Sequence, residues 1–197
     1  MFWFEPPNQQ VSWTYMFPHA LDSVDIEFIE QYVINNKQLM QKAMIVTGKN
    51  KPVDNYRNTD IMWLTDMNSL APVYTKIIDR IKTINAEHFK YSINYIEPLQ
   101  YSVYNAVDDG KYDMHNDTVL RNTSGNVRKL SFSILLNDAS EFEGGDLEFY
   151  TARTPSVKKL DKGTIIVFPS FLMHGVSPVT TGTRRTLVGF VGGPNFV

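Results

Sequence analysis

The chain has 197 residues, a formal net charge of −2 and no cysteine. That length suits one domain with a sizeable core, and near-neutral charge argues against a protein held on nucleic acid by bulk electrostatics. Without cysteine there is no disulfide framework, zinc finger or thiol chemistry, and no stretch is apolar for long enough to cross a bilayer, so a cytoplasmic protein with no membrane partner is expected. The N-terminal MFWFEPPNQQ has no basic region and is interrupted by Glu5, Pro6 and Pro7, so it reads as neither a signal peptide nor a span. Residues 1–20 carry Trp3, Phe4, Trp13, Tyr15 and Phe17, which suits an extended arm laying aromatic rings on a core.

Leu21 to Met44 reads as a helix, with Asp22 or Ser23 as cap and Ile26, Ile29 and Val33 at helical spacing. Lys49 to Thr59 is polar and reads as a loop, and Ile61 to Leu64 as a short strand. Asp66 to Glu87 reads as a second helix, capped by Asp66 or Ser69, with Pro72 in its first turn and a stripe of Val73, Ile77, Ile81 and Ile84. His19 and His88 read as ordinary surface residues. From Ile93 onward the pattern changes to short strands, with turn signals at Asp108-Asp109-Gly110, Gly144-Gly145 and Asp161-Lys162-Gly163. The expected organisation is one domain. Residues 1–92 form an arm and supporting helices, and residues 93–197 form a β core, a sandwich or barrel.

Chemistry concentrates at two places in that core. In YDMHND, His115 and Asp117 stand two apart, so in a strand they project to the same side. His174 follows Asp117 by 57 residues and becomes a third ligand if the sheet closes on itself. Two histidines and one carboxylate make the facial triad of non-haem Fe(II) oxygenases. Arg184 follows His174 by ten residues and opens the apolar run Thr186 to Val191. Its planar fork suits a carboxylate, and 2-oxoglutarate has one carboxylate for the metal and one for such a fork. Arg184 and Arg185 must face opposite sides of a strand, so only one enters the site.

His-x-Asp in MHNDT, the Gly-Gly hairpin in FEGGDLEFY, the run GTIIVFPSFLMH and then SPVTTGTR stand in order between about Pro98 and Pro194. On these marks the sequence resembles the Fe(II)/2-oxoglutarate-dependent dioxygenases of the prolyl-4-hydroxylase-like group. The resemblance implies a double-stranded β-helix, or jelly roll, supported by the N-terminal helices. It implies Fe(2+) on His115, Asp117 and His174, with 2-oxoglutarate and O2 as co-substrates, succinate and CO2 as co-products, and ascorbate as a possible helper. It makes a prolyl residue of a peptide or protein the first substrate to test. Relatives often carry a tyrosine near Leu135 that hydrogen-bonds the far carboxylate of 2-oxoglutarate. Leucine cannot donate, so Tyr104, and after it Ser133, becomes the expected helper of Arg184.

Alternation in Leu130 to Leu136 puts the apolar even positions on one face and Ser131, Ser133 and Leu135 on the other, which is expected to line the cavity. Phe190, Val176 and Leu147 are candidate apolar walls. Arg128, at the start of that strand, and Tyr56 and Arg57, in the loop before the core, are candidate substrate contacts. Asn116 points away from the ligand pair. Other readings stay open on sequence alone. The same chemistry on a small molecule is one. A nucleic-acid demethylase is another, although no dense basic or stacking surface is evident. A zinc hydrolase explains less because it leaves Arg184 without a task, and a binding module without chemistry because it gives His115, Asp117 and His174 no reason to converge.

Overall fold

The computed structural model describes residues 12–43, 56–118, 125–151 and 155–195. In chain order the elements are β1 (Tyr15–Phe17), α1 (Ser23–Asn35), β2 (Gln41–Lys42), β3 (Arg57–Asn58), β4 (Asp60–Leu64) and α2 (Ala71–Ile84). There follow β5 (Tyr95–Ile96), β6 (Leu99–Asn105), β7 (Lys111–His115), β8 (Asn126–Leu135), β9 (Phe142–Gly144) and β10 (Leu147–Phe149). The last are β11 (Ser156–Lys158), β12 (Ile165–Pro169), β13 (His174–Val176) and β14 (Val179–Pro194).

Both helices are shorter than the apolar periodicity predicts. The first stops at Asn35, because Asn36 turns its side-chain amide onto the Tyr32 carbonyl at 2.8 Å and a short 3₁₀ turn follows. Its start is as expected: the Asp22 carboxylate accepts from the Asp25 backbone N–H, and the Asp25 carboxylate from that of Asp22. Asp66 accepts from the Ser69 N–H but closes only the turn before α2, which begins at Ala71 with Pro72 in its first turn. A π turn over Asn85–Phe89 ends that helix at Lys90, whose φ is 55°. Lys76 joins the two helices by reaching Asp22 at 3.0 Å and Asp25 at 2.7 Å. The end of the expected loop before the core forms β3, while residues 44–55 lie outside the described residues, as do Trp3 and Phe4. His88 stacks on Tyr15, with ring centroids 3.4 Å apart, and takes no part in any site.

The strands form the two sheets of a jelly roll. The larger runs β1-β12-β8-β14-β6-β4-β2, so β1 and β4 from the N-terminal region extend it at both flanks. The smaller runs β11-β10-β13-β7-β3. Strand alternation sends one set of side chains from the large sheet toward the helices. Leu99, Leu130, Phe132, Ile134, Leu136 and Leu187 pack there with Ile29, Ile77 and Ile81. The other set, including Tyr104, Leu135, Ile166 and Phe168, faces the small sheet and meets Leu147, Phe149 and Val176. The Phe132 ring has room to lie across β14 because residue 189 has no side chain. A Cβ there would lie 2.3 Å from Cζ of Phe132. Among the described residues, no helix is long and apolar enough to cross a membrane.

Candidate active site

The small sheet brings the chemistry together. β7 and β13 are antiparallel neighbours, and His115 pairs directly with His174. Asp117 lies just past the end of β7, where its backbone N–H donates to the Ser170 carbonyl at 2.8 Å and ties it to the turn after β12. One ligand atom from each of His115, Asp117 and His174 lies within 4.8 Å of the others. Nε2 of His115 is 3.6 Å from Oδ1 of Asp117, and Nε2 of His174 is 3.3 Å from Oδ2.

Proton bookkeeping shows what this cluster suits. Nδ1 of His115 is 2.8 Å from the Asp113 carbonyl, and Nδ1 of His174 is 2.9 Å from that of Leu172. A carbonyl only accepts, so both Nδ1 atoms carry a hydrogen and both Nε2 atoms face Asp117. Burial first, and then the charge of His174, pushes His115 down to about 4, so it is neutral at physiological pH. For Asp117, burial works against ionisation. It is outweighed by the nearby imidazoles of His174 and His115 and by Ser131, which leave the carboxyl below its usual range. Converging lone pairs of this kind repel one another unless a cation lies among them. The donor set therefore fits a divalent metal with nitrogen and oxygen preference, and three protein ligands leave octahedral positions free.

The neighbours of the triad brace it. Tyr112 stacks on His115, with centroids 3.6 Å apart and planes at 17°, and Cζ of Arg57 sits 4.3 Å from the Tyr112 ring centre. Phe168 meets the His174 ring edge-on at 4.6 Å. Ser131 Oγ is 3.0 Å from Ser170 Oγ, so the serine that bonds Asp117 also ties in the turn after β12. Residue parity missed Tyr112. Residues three apart face opposite ways in a regular strand, but a register shift between β7 and β13 brings Tyr112 and His115 to one side. Alternation of β8 predicts Ser131, Ser133 and Leu135 as cavity residues; Ser133 lines the triad's cavity and Leu135 the adjoining one, whereas Ser131 is fully buried and lines neither.

A cavity of about 170 Å³ opens on the triad. Its walls include Tyr104, Ser133, Arg57 and Arg128, together with the apolar Leu147, Val176 and Phe190. Arg128 is not a solvated strand end. It forms a two-pronged pair with Glu97, both contacts 2.6 Å, and lies 3.7 Å over the Phe190 ring. Arg57 donates to Gln100 at 2.7 Å, and its Nε has no partner among the described residues. Trp63 and Gln100, not singled out from sequence, complete this side. Tyr56 departs from expectation. Its hydroxyl is spent on the Met114 carbonyl at 2.7 Å, and it lines a neighbouring groove instead of the triad's cavity. Asn116 is exposed and turned toward Met173.

Arg184 and Tyr104 are directly paired across β14 and β6, with the guanidinium 5.5 Å from the Tyr104 ring centre. Arg184 is 3% exposed, and no hydrogen bond or ion pair of its guanidinium is found among the described residues. Burial pulls its pKa below the usual range, with Tyr104 and Asp146 opposing, and it remains a cation. It fits there because residue 145 is glycine, at φ 61°. A Cβ would come within 2.9 Å of Arg184 Cδ. Arg185 faces the other side and pairs with Glu30 at 3.1 Å and Glu141 at 3.4 Å. Arg184 lines not the triad's cavity but an adjoining one of about 290 Å³, and Leu147 belongs to both.

Comparison with known proteins places this arrangement. Residues 99–192 match the model of the 2OG-Fe(II) oxygenase superfamily. A PKHD-type hydroxylase of Prochlorococcus marinus is 40% identical over 80 residues, which is 41% of this chain and 35% of that protein. One from Picosynechococcus is 41% identical over a stretch of the same length, covering 36% of it. The matching stretch thus spans about a third of the length of these curated relatives. In structure, the chain is similar to a Pseudomonas putida prolyl-4-hydroxylase with a TM-score of 0.69 at 17% identity, covering 91% of each chain. It is also similar to a prolyl hydroxylase of Trichoplax adhaerens, solved in complex with a hypoxia inducible factor peptide fragment. There the TM-score is 0.70 at 18% identity, covering 91% of this chain and 83% of that one.

Proposed function

We propose that the 2OG-Fe(II) oxygenase domain at residues 99–192 makes this chain an Fe(II)- and 2-oxoglutarate-dependent dioxygenase, whose substrate is a prolyl residue of a peptide or protein. One observation carries the reading above the rest. Three metal-type ligands converge on one side of Leu147, and a buried guanidinium with no hydrogen-bond or ion-pair partner among the described residues stands on the other. A two-ended acid that bridges them satisfies both. A zinc hydrolase would leave Arg184 buried and idle, at a cost of several kcal/mol. The peptide substrate is supported by the PKHD-type relatives and by the neighbour solved with a peptide.

When bound, ferrous iron and 2-oxoglutarate supply the oxidising chemistry that turns O2 and a C–H bond into an alcohol, with succinate and CO2 released. The chain's own residues position and exclude. His115 and His174 present neutral Nε2 atoms, and Asp117 adds a single negative charge. The Nδ1 bonds to the Asp113 and Leu172 carbonyls hold both rings in that tautomer. Arg184 would hold the far carboxylate, with the neighbouring Tyr104 as second donor, and Ser133 lines the triad's cavity beside Tyr104. Phe168, Val176 and Phe190 keep water from the reacting atoms. Arg57, held by Gln100, and Arg128, oriented by Glu97, line the triad's cavity and are the candidate contacts to substrate carbonyl oxygens. No cysteine requires an oxidising compartment, and we place the enzyme in the cytoplasm, where ascorbate would keep the iron reduced.

The test is anaerobic titration of the protein with Fe(II) and 2-oxoglutarate, read by the weak visible band of the chelate. Oxygen and proline-containing peptides are then added. A chelate band, succinate release and a peptide heavier by one oxygen are expected. A protein that forms the chelate and oxidises no peptide would overturn the substrate. Absence of the band in folded protein would overturn the chemistry.

A further inference from the structure

Arg184 has a second way out. Its cavity ends at the surface beside Ala139, which is exposed, and beside Lys158 and Lys159, away from the triad. The charge of that mouth is close to balanced. Lys158 and Lys159 stand against Glu143, Asp146 and Asp161, and Asp146 is already held by Lys159. The mouth therefore does not attract anions strongly. What would hold one is Arg184 itself, 3% exposed, which lies over the Tyr104 ring and has no hydrogen-bond or ion-pair partner among the described residues. On the metal side Leu147 stands between the two spaces, and Leu135 lines the wall near Arg184 without offering a hydrogen bond. A small carboxylate fits this arrangement: a cavity of about 290 Å³ with a mixed-charge mouth, an inner wall of Leu135, Phe142, Leu147 and Leu160, and one buried fork.

We propose that this cavity is a rear entrance to Arg184, through which a small mono- or dicarboxylate reaches the guanidinium without passing the metal. Occupied in this way, Arg184 is withdrawn from the co-substrate, so the cavity is an inhibitory carboxylate site. The proposal rests on reading Arg184 as the co-substrate's anchor. It adds that the anchor is accessible from both ends of the barrel and can be captured in the absence of iron.

The probe is succinate, titrated calorimetrically into the whole chain in the presence of a chelator, with circular dichroism to show that it is folded. Binding is expected, and Arg184→Ala should abolish it. Ala139→Trp, which fills the mouth from an exposed position, and Lys158→Glu, which places a like charge there, should each weaken it at least tenfold. Both should still form the Fe(II)–2-oxoglutarate chelate, because neither residue lines the triad's cavity. If succinate fails to bind without metal, the proposal is overturned. It is equally overturned if binding depends on Arg184 but ignores both mouth variants, since entry is then from the metal side. If succinate binds through the mouth while the native protein never forms the chelate, the rear site stands and the oxygenase reading falls.

Discussion

Strand β8 has two faces, and they are built for opposite ends. Toward the helices it presents Leu130, Phe132 and Ile134, continued by Leu136 just past its end, all within 1% of complete burial and packed in the aliphatic-rich core. Toward the small sheet the same strand presents Ser131, Ser133 and Leu135, beside two cavities, an ionised carboxylate and a buried guanidinium. The first face is close-packed and dry and offers no group that reacts. The second tolerates voids and uncompensated charge, which cost stability. The helix side offsets that cost, so the expense of the site is carried within one strand.

The contrast can be broken from either face. The largest effect is expected for His174→Ala, which should abolish Fe(II)-dependent succinate release and the chelate band while far-ultraviolet circular dichroism stays native. Full activity in that variant would remove the triad from the mechanism. Phe132→Ala attacks the other face and should cost about 3–5 kcal/mol of stability by leaving a cavity where no neighbour can collapse. Denaturant unfolding measures it, and the folded fraction should still form the chelate. Arg184→Ala should raise the 2-oxoglutarate concentration needed for half-maximal turnover on the order of 100-fold, the worth of a charge-assisted pair in a buried site. Arg185→Ala is the matched control. Its ion pairs with Glu30 and Glu141 are partly exposed, so it should cost about 1 kcal/mol of stability or less and leave that requirement unchanged. A reversed order between these two arginines would mean that the cavity lies on the other face of β14.

The fold was legible where one physical rule dominates. Alternation sorted Leu130 to Leu136 into two faces, and the Arg184/Arg185 pair follows the same period. The strands from Ile93 on, ending in a jelly roll, were announced by turn residues at regular intervals. Helix ends were less legible, since an apolar stripe continues past Asn36 in sequence while the backbone is already turning on that residue's own amide. Within the site, the pairing of His115 with Asp117 could be read from spacing, while His174 joined them on the condition that the sheet closes and through the family resemblance. The braces of the site could be read from neither. Tyr112 is hidden by a break in strand register, and Trp63 and Gln100 belong to strands that meet only through β4–β6 pairing. The separation of Arg184 into its own cavity depends on Leu147 and Gly145, which carry no chemical signature in sequence.

The irregularity in β7 has a practical consequence for anyone recombining this chain with its relatives. Between Tyr112 and His115 the spacing is a length code and not a pattern of residue types. Adding or deleting one residue there would rotate the imidazole out of the barrel while leaving every motif intact to inspection. A crossover placed inside Lys111–His115 therefore risks an inactive protein that folds well, whereas one placed at the Asp108-Asp109-Gly110 turn transfers the stack and its ligand together as one exchangeable part.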